Sequence, residues 1–284
     1  SLWATSDTVK ISPDSMGIWA ARIAAFPRTG QCFLTKLGAT IRDFSESHPA
    51  FNKFDCGLVK NMVQDTLGPD RKPLATPGGE KCLNGTIAQG FNDVPSVNYS
   101  VCRDIPLSLD PADGLYTYHD QNYFPIDNVD STLDKFNVKY KGDDGKMHNF
   151  LFCLESHAVF DYHKGQKFDF IGDDDVWVYI NNKLAVDVGG VHVAETLSVN
   201  LDKLNLVEGK TYPFDFFFCE RRPTASHMLI TTSMNLRNPP EFELRQTNLS
   251  LGKRQYDLFY HQKLGQGCDA QRIDKATPGL FFMT

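Results

Sequence analysis

Three consecutive carboxylates, Asp173, Asp174 and Asp175, are wedged between two apolar runs, Phe168–Gly172 and Val176–Ile180. Like charges this close repel unless a cation or hydrogen-bond donors neutralise them. Hard divalent cations prefer oxygen ligands, and Ca²⁺ takes roughly six to eight of them. The acidic turn is therefore a candidate Ca²⁺ site that needs further ligands from a second segment. The competing roles are capping, in which the carboxylates accept main-chain N–H groups, and a plain solvated turn. Asp187 fits a structural hydrogen bond better than the same site. His192 reads as a satisfied, partly buried histidine, because Ca²⁺ avoids imidazole. Adjacent aspartates cannot sit on opposite sides of a glycosidic bond, as glycosidase carboxylates must. The sequence has no G-x-S-x-G, H-E-x-x-H or phosphate-loop motif, so nothing in it points to an enzyme.

The elements that must hold these acids read as strands. Val176, Val178 and Ile180 alternate with Trp177 and Tyr179. A strand apolar on both faces is buried on both or offers aromatics to a ligand, and mid-strand positions favour core packing. Asn181-Asn182-Lys183 predicts a tight turn into a second strand, Leu184–Val188. Further strands are expected at 37–44, 115–118, 123–126, 149–154, 158–162, 212–220 and 228–236, with two more at 241–245 and 256–260. Asp143 and Asp144 lie in a hairpin-type turn and read as solvated. Residues 65–113 are rich in Pro, Gly, Asp and Asn and predict a long excursion pinned by disulfides. Residues 19–25 fit a short helix or a strand. Many short alternating strands mean an all-β antiparallel sandwich.

The chain has 284 residues, 41% of them hydrophobic, and a net charge of −6. Without a basic block it is not expected to bind nucleic acid or to dock on a membrane by charge. No apolar stretch is long enough to span a bilayer, and the first residues do not read as a signal peptide. The seven cysteines are scattered, with no C-x-x-C pair. Sequons at Asn84, Asn98 and Asn248 mark candidate glycosylation sites. Cysteines and sequons together favour a secreted, disulfide-bonded glycoprotein whose signal peptide has been removed. The odd cysteine is left free or paired outside the chain.

The segment from Phe170 to His192, including Gly172-Asp-Asp-Asp-Val-Trp177, resembles the fibro-slime domain, as does Asp215–Arg222 with Ser226 beyond it. That family is a branch of the anthrax protective-antigen-type β-sandwich superfamily. Matches at Ala39–Phe44, His48-Pro49, Tyr123–Asp127, His148–Phe150 and Val199–Leu204 follow in the family's order. The resemblance implies a sandwich over 38–236, an N-terminal extension 1–37 packing on it, and a C-terminal extension 237–284 of additional strands. In lectin members such as flocculins and epithelial adhesins, two aspartates joined by a cis peptide hold Ca²⁺ and the sugar hydroxyls complete its shell. The matching pair is Asp173-Asp174. The second ligand loop corresponds to Glu220–Ser226, where this chain has no Asn, so Glu220, Thr224 or main-chain carbonyls would substitute. Arg221 and Arg222 are expected either to reach a carboxylated or sulfated sugar as bidentate donors or to be an ordinary pair of exposed loop arginines, with Ser226 in the same loop. The resemblance also implies a Cys153–Cys219 disulfide. The expected function is a secreted, Ca²⁺-dependent carbohydrate-binding or adhesion module, with a surface or matrix glycan as partner. The alternative is an extracellular protein-recognition or signalling component in which any Ca²⁺ is structural.

Overall fold

The structure, a computed structural model, describes residues 34–51, 56–128, 136, 138–223, 225–250, 253–262 and 281–283, with side chains described up to residue 239. Expectations for residues 1–33 lie outside these. Twelve strands precede residue 233: β1 Leu34–Phe44, β2 Asn98–Asp110, β3 Leu115–Asp120, β4 Tyr140–Lys141, β5 Met147–His148, β6 Phe152–Asp161, β7 Lys167–Gly172, β8 Asp175–Ile180, β9 Lys183–Val188, β10 Glu195–Asn200, β11 Thr211–Glu220 and β12 Met228–Thr232. β4 and β5 pair as a separate hairpin. The other ten form one antiparallel sheet in the order β10-β7-β12-β3-β2-β1-β6-β11-β8-β9. A further three-stranded sheet holds β13 Pro240–Ser250, β14 Lys253–Gln262 and β15 Phe281–Met283.

The ten-stranded sheet folds over on itself into a sandwich, because a sheet this wide with a row of large apolar residues must cover them. β2 turns the corner: it pairs with β1 along its length and with β3 only at Ser108–Asp110. The layers meet through aromatic rings, with Phe168 of β7 5.2 Å from Phe214 of β11 and Phe170 5.5 Å from Phe216. The alternation in β11 puts Phe214, Phe216 and Phe218 into this core.

A second core explains why β8 is buried at all six positions. Trp177, Tyr179 and Phe217 face away from the inter-layer core and are covered by the excursion that carries α1 (Pro77–Cys82) and α2 (Ile87–Phe91). Phe91 stands 5.0 Å from Phe217 and 6.3 Å from Trp177, both edge-on. Trp177 and Tyr179 are thus core residues rather than a platform for a ligand. Disulfides Cys56–Cys82 and Cys153–Cys219 join this region, the second between register partners of β6 and β11. Cys102 is disulfide-bonded as well.

A buried charge network adds to the attachment. Arg42 of β1 donates to Glu155 of β6 at 2.9 Å and to Asp93 at 2.8 Å. Lys72 of the excursion reaches the other oxygen of Glu155, His157 lies 2.6 Å from Asp215, and Arg71 also pairs with Asp215.

Three expectations differ from the structure. The excursion ends near residue 97, since 98–110 is β2, whose register partner for Lys36 is Pro106. Tyr123–Ile126 is a turn-rich segment, although Tyr123 and Ile126 are buried in the core. The two strands expected at 149–154 and 158–162 are the single strand β6.

Candidate functional site

β7 ends at Gly172 and β8 begins at Asp175, so Asp173 and Asp174 form the whole connection. The described residues contain no cis peptide bond, and the Asp173–Asp174 bond is trans, unlike the expected lectin pair. The chain reverses instead through Asp174, whose φ of 57° is left-handed, a region that Asp tolerates better than most residues. Asp174 Oδ2 accepts from the N–H groups of Arg221 (2.7 Å) and Arg222 (3.1 Å), and Oδ1 from that of His192 (3.3 Å). Asp173 Oδ1 accepts from the His227 N–H at 2.7 Å, and its Oδ2 faces His227 Nδ1 at 2.9 Å. Asp175 accepts from the Gly190 N–H at 2.7 Å and ion-pairs with Arg221 Nε at 2.6 Å. The acids therefore cap and tie together the three segments that meet at this end of the sheet.

Glu220 closes β11, next to Cys219, the register partner of Asp175. It is 1% exposed. Burial, and then the charges of Asp174 and Asp173, push its carboxyl well above the ordinary range. Burial and the charge of Asp175 push Asp174 up to about 6, against the opposing N–H of Arg221. Oxygen donors that destabilise one another in this way fit a hard cation. Asp174 and Ser226 both hydrogen-bond the buried Glu220 carboxyl. Among the described residues, no three His, Cys, Asp or Glu side chains already surround one metal position.

These groups open on a cleft of about 480 Å³, lined by Asp173, Asp174, Glu220 and Arg222 on the acidic side. His227 and Ala225 continue the wall, Val191, Val193 and Ala194 form an apolar lip around His192, and Asp143 stands at the edge. The lip is fixed by Gly189 and Gly190. Val59 and Gly189 exchange main-chain hydrogen bonds of 2.7 and 2.8 Å. A Cβ on Gly190, at φ 86°, would sit 1.7 Å from the Gly57 carbonyl oxygen, so only glycine fits.

Asp173, Asp174, Glu220 and Arg222 thus gather at one cleft. Arg221 does not join them: its side chain is 1% exposed and neutralises Asp175, a demand of burying that carboxylate. Ser226 is buried behind the wall, and Thr224 lies outside the described residues. Asp143, the Val191–Ala194 lip and His227 were not expected; the sequence signals were Gly142 and Gly145 around Asp143 and Gly189-Gly190 before the lip, and His227 had none. Asn84 is exposed. The Asn98 amide donates to the carbonyls of Gln89 and Asn92, both at 2.8 Å, so a glycan there would cost both bonds. Asn248 lies in β13.

The model of the PA14 domain matches residues 111–246, a stretch that contains the acidic turn, the Glu220 loop and Asp143. This stretch is similar to the PA14 domain. The PA14 assignment agrees with the superfamily read from the sequence and with the antiparallel sandwich. Among curated proteins the chain is similar to psiQ of Dictyostelium discoideum, 41% identical over 189 residues, which are 64% of this chain and 19% of psiQ. It is also similar to psiC of the same organism, 38% identical over 217 residues, 70% of this chain and 41% of psiC. The chain thus spans only a fifth to two fifths of these relatives. Among solved structures it is similar to a PA14 sugar-binding domain from an RTX adhesin, with a TM-score of 0.28 and 10% identity, covering 87% of this chain and 96% of that one. The PA14 domain of the MpAFP antifreeze protein gives a TM-score of 0.31 at 11% identity, covering 76% and 88%. Among the described residues, no helix is long and apolar enough to cross a membrane.

Proposed function

We propose that this PA14 domain, of the fibro-slime branch, is a non-catalytic, secreted, Ca²⁺-dependent carbohydrate-binding or adhesion module. The observation that carries the reading is the meeting of Asp173, Asp174 and Glu220 at one cleft, where burial and neighbouring negative charge raise the carboxyls of Asp174 and Glu220. A bound Ca²⁺ would neutralise the carboxylates and offer open coordination positions to vicinal hydroxyls. Asp173, Asp174 and Glu220 are its protein ligands, with main-chain carbonyls or Thr224 of the following loop completing the set. Disulfides such as Cys56–Cys82 and Cys153–Cys219 suit an oxidising, extracellular setting. One shallow site gives weak affinity after ordering costs, so adhesion relies on several copies.

A second reading is favoured by the capping bonds. Each of the three aspartates already receives protein donors, so the loop holds its shape without an ion and the domain could recognise a protein, with Ca²⁺ structural. Binding to immobilised neutral glycans, measured with Ca²⁺, with chelator and with free monosaccharide, separates the two. The carbohydrate module loses binding to both chelator and free sugar. A protein-recognition module shows no glycan binding in any arm.

A further inference from the structure

The β4–β5 hairpin, separate from the ten-stranded sheet, brings a carboxylate to the cleft. Asp143 sits in its turn, exposed, on the wall of the same cleft as Asp173 and Glu220. The turn is rigidly held. Gly142 N–H donates to the Lys146 carbonyl at 2.8 Å. A Cβ on Gly142 would come within 3.1 Å of the His148 ring and 3.3 Å of Phe150. His148 stacks on Phe124 at 3.6 Å and 11°. Its Nδ1 lies 2.5 Å from Asp127 Oδ2, and its Nε2 3.0 Å from Asp144 Oδ1, next to Asp143. Carboxylates on both ring nitrogens thus fix the orientation of the ring.

The cleft is thus amphipathic. Its lip carries Val193, 81% exposed, beside Val191 and Ala194. Its ionisable lining is predominantly acidic, with Arg222 as the arginine on the wall, because Arg221 is committed to Asp175. An apolar C–H face of a pyranose matches the lip, and hydroxyl or amino hydrogens match Asp143. A sugar carboxylate or sulfate at that edge meets like charge.

Resting on the reading of the cleft as a carbohydrate site, we propose that Asp143 is a specificity-determining residue. It accepts hydrogen bonds from hydroxyl or amino groups of a bound glycoside and excludes sugars bearing a carboxylate or sulfate. The test uses the full chain in Ca²⁺ on arrays of immobilised methyl hexosides, the matching 2-amino-2-deoxyhexosides and hexuronates. The parent, Asp143→Asn, Asp143→Lys and Asp173→Ala/Asp174→Ala are compared, with melting temperatures as the folding control. The parent binds neutral and amino sugars and not uronates. Asp143→Asn weakens binding of the amino sugar about tenfold, as loss of one charge-assisted hydrogen bond implies. Asp143→Lys acquires uronate binding. Two results overturn the role of Asp143 and leave the sugar reading standing: uronate binding by the parent, or unchanged preference in both Asp143 variants while the double alanine variant loses all binding. A folded parent that binds none of the sugars removes the sugar reading itself, and this proposal with it.

Discussion

Arg221 is the side chain on which the acidic turn rests. Asp175 is fully buried, and its burial raises its carboxyl against the opposing pull of Arg221. Removing one partner of such a pair leaves an uncompensated buried charge, at a cost of about 3–5 kcal/mol. Arg221→Met is therefore expected to destabilise the domain by that amount in urea denaturation. The double variant Arg221→Met/Asp175→Leu should recover most of it, because apolar groups replacing both charges leave nothing unpaired. A double variant no more stable than the single one would deny the pairing. The sequence could not separate Arg221 from Arg222: both follow Glu220, and only the fold turns one inward onto β8 and the other toward the cleft.

Between elements, the excursion is fastened to the sheet by charge as well as by apolar packing. Burial alone would raise Glu155, but His157, Arg42 and Lys72 more than offset it and bring it down from 4.5 to about 2. Burial alone would lower His157, but Asp215 and Glu155 outweigh it and raise it from 6.5. The Glu155 contribution to stability is present above its unfolded value and is lost as pH falls toward 2. The His157 contribution is present below 6.5 and is lost as pH rises through the raised folded value. Attachment should therefore be tightest between about pH 4.5 and 6.5. Amide exchange over residues 64–74, corrected for its intrinsic pH dependence, should show most protection there, and His157→Gln should flatten the alkaline limb. Protection that rises steadily through pH 8 in the parent would contradict the network. None of this was legible in the sequence, because Arg42, Lys72 and Glu155 come from distant segments. What was legible was local: the alternation that builds β11, the apolar run of β8, and the Asn181-Asn182 turn, whose two residues take left-handed φ of 53° and 61°. β2 escaped because its residues alternate poorly and include Pro106. Asp143 escaped because a turn residue looks solvated until the cleft beside it is known.

At the scale of the molecule, the sandwich sets the strand ends of β7, β8 and β11 side by side, and the excursion braces the lip opposite them. The acidic turn was legible as a candidate site from its three consecutive charges, but its trans bond and capping pattern depend on the fold. On the proposed reading, this arrangement holds Ca²⁺. A cation that binds only the folded state stabilises it by about 2.7 kcal/mol at a hundredfold excess over its Kd. Isothermal calorimetry of the chelated chain with Ca²⁺, alongside Asp173→Asn/Asp174→Asn, tests it most directly. The parent should show saturable binding at one site and a raised melting temperature, and the double variant should lose both. No heat and no change in melting temperature in the parent, or equal binding by the double variant, would contradict it.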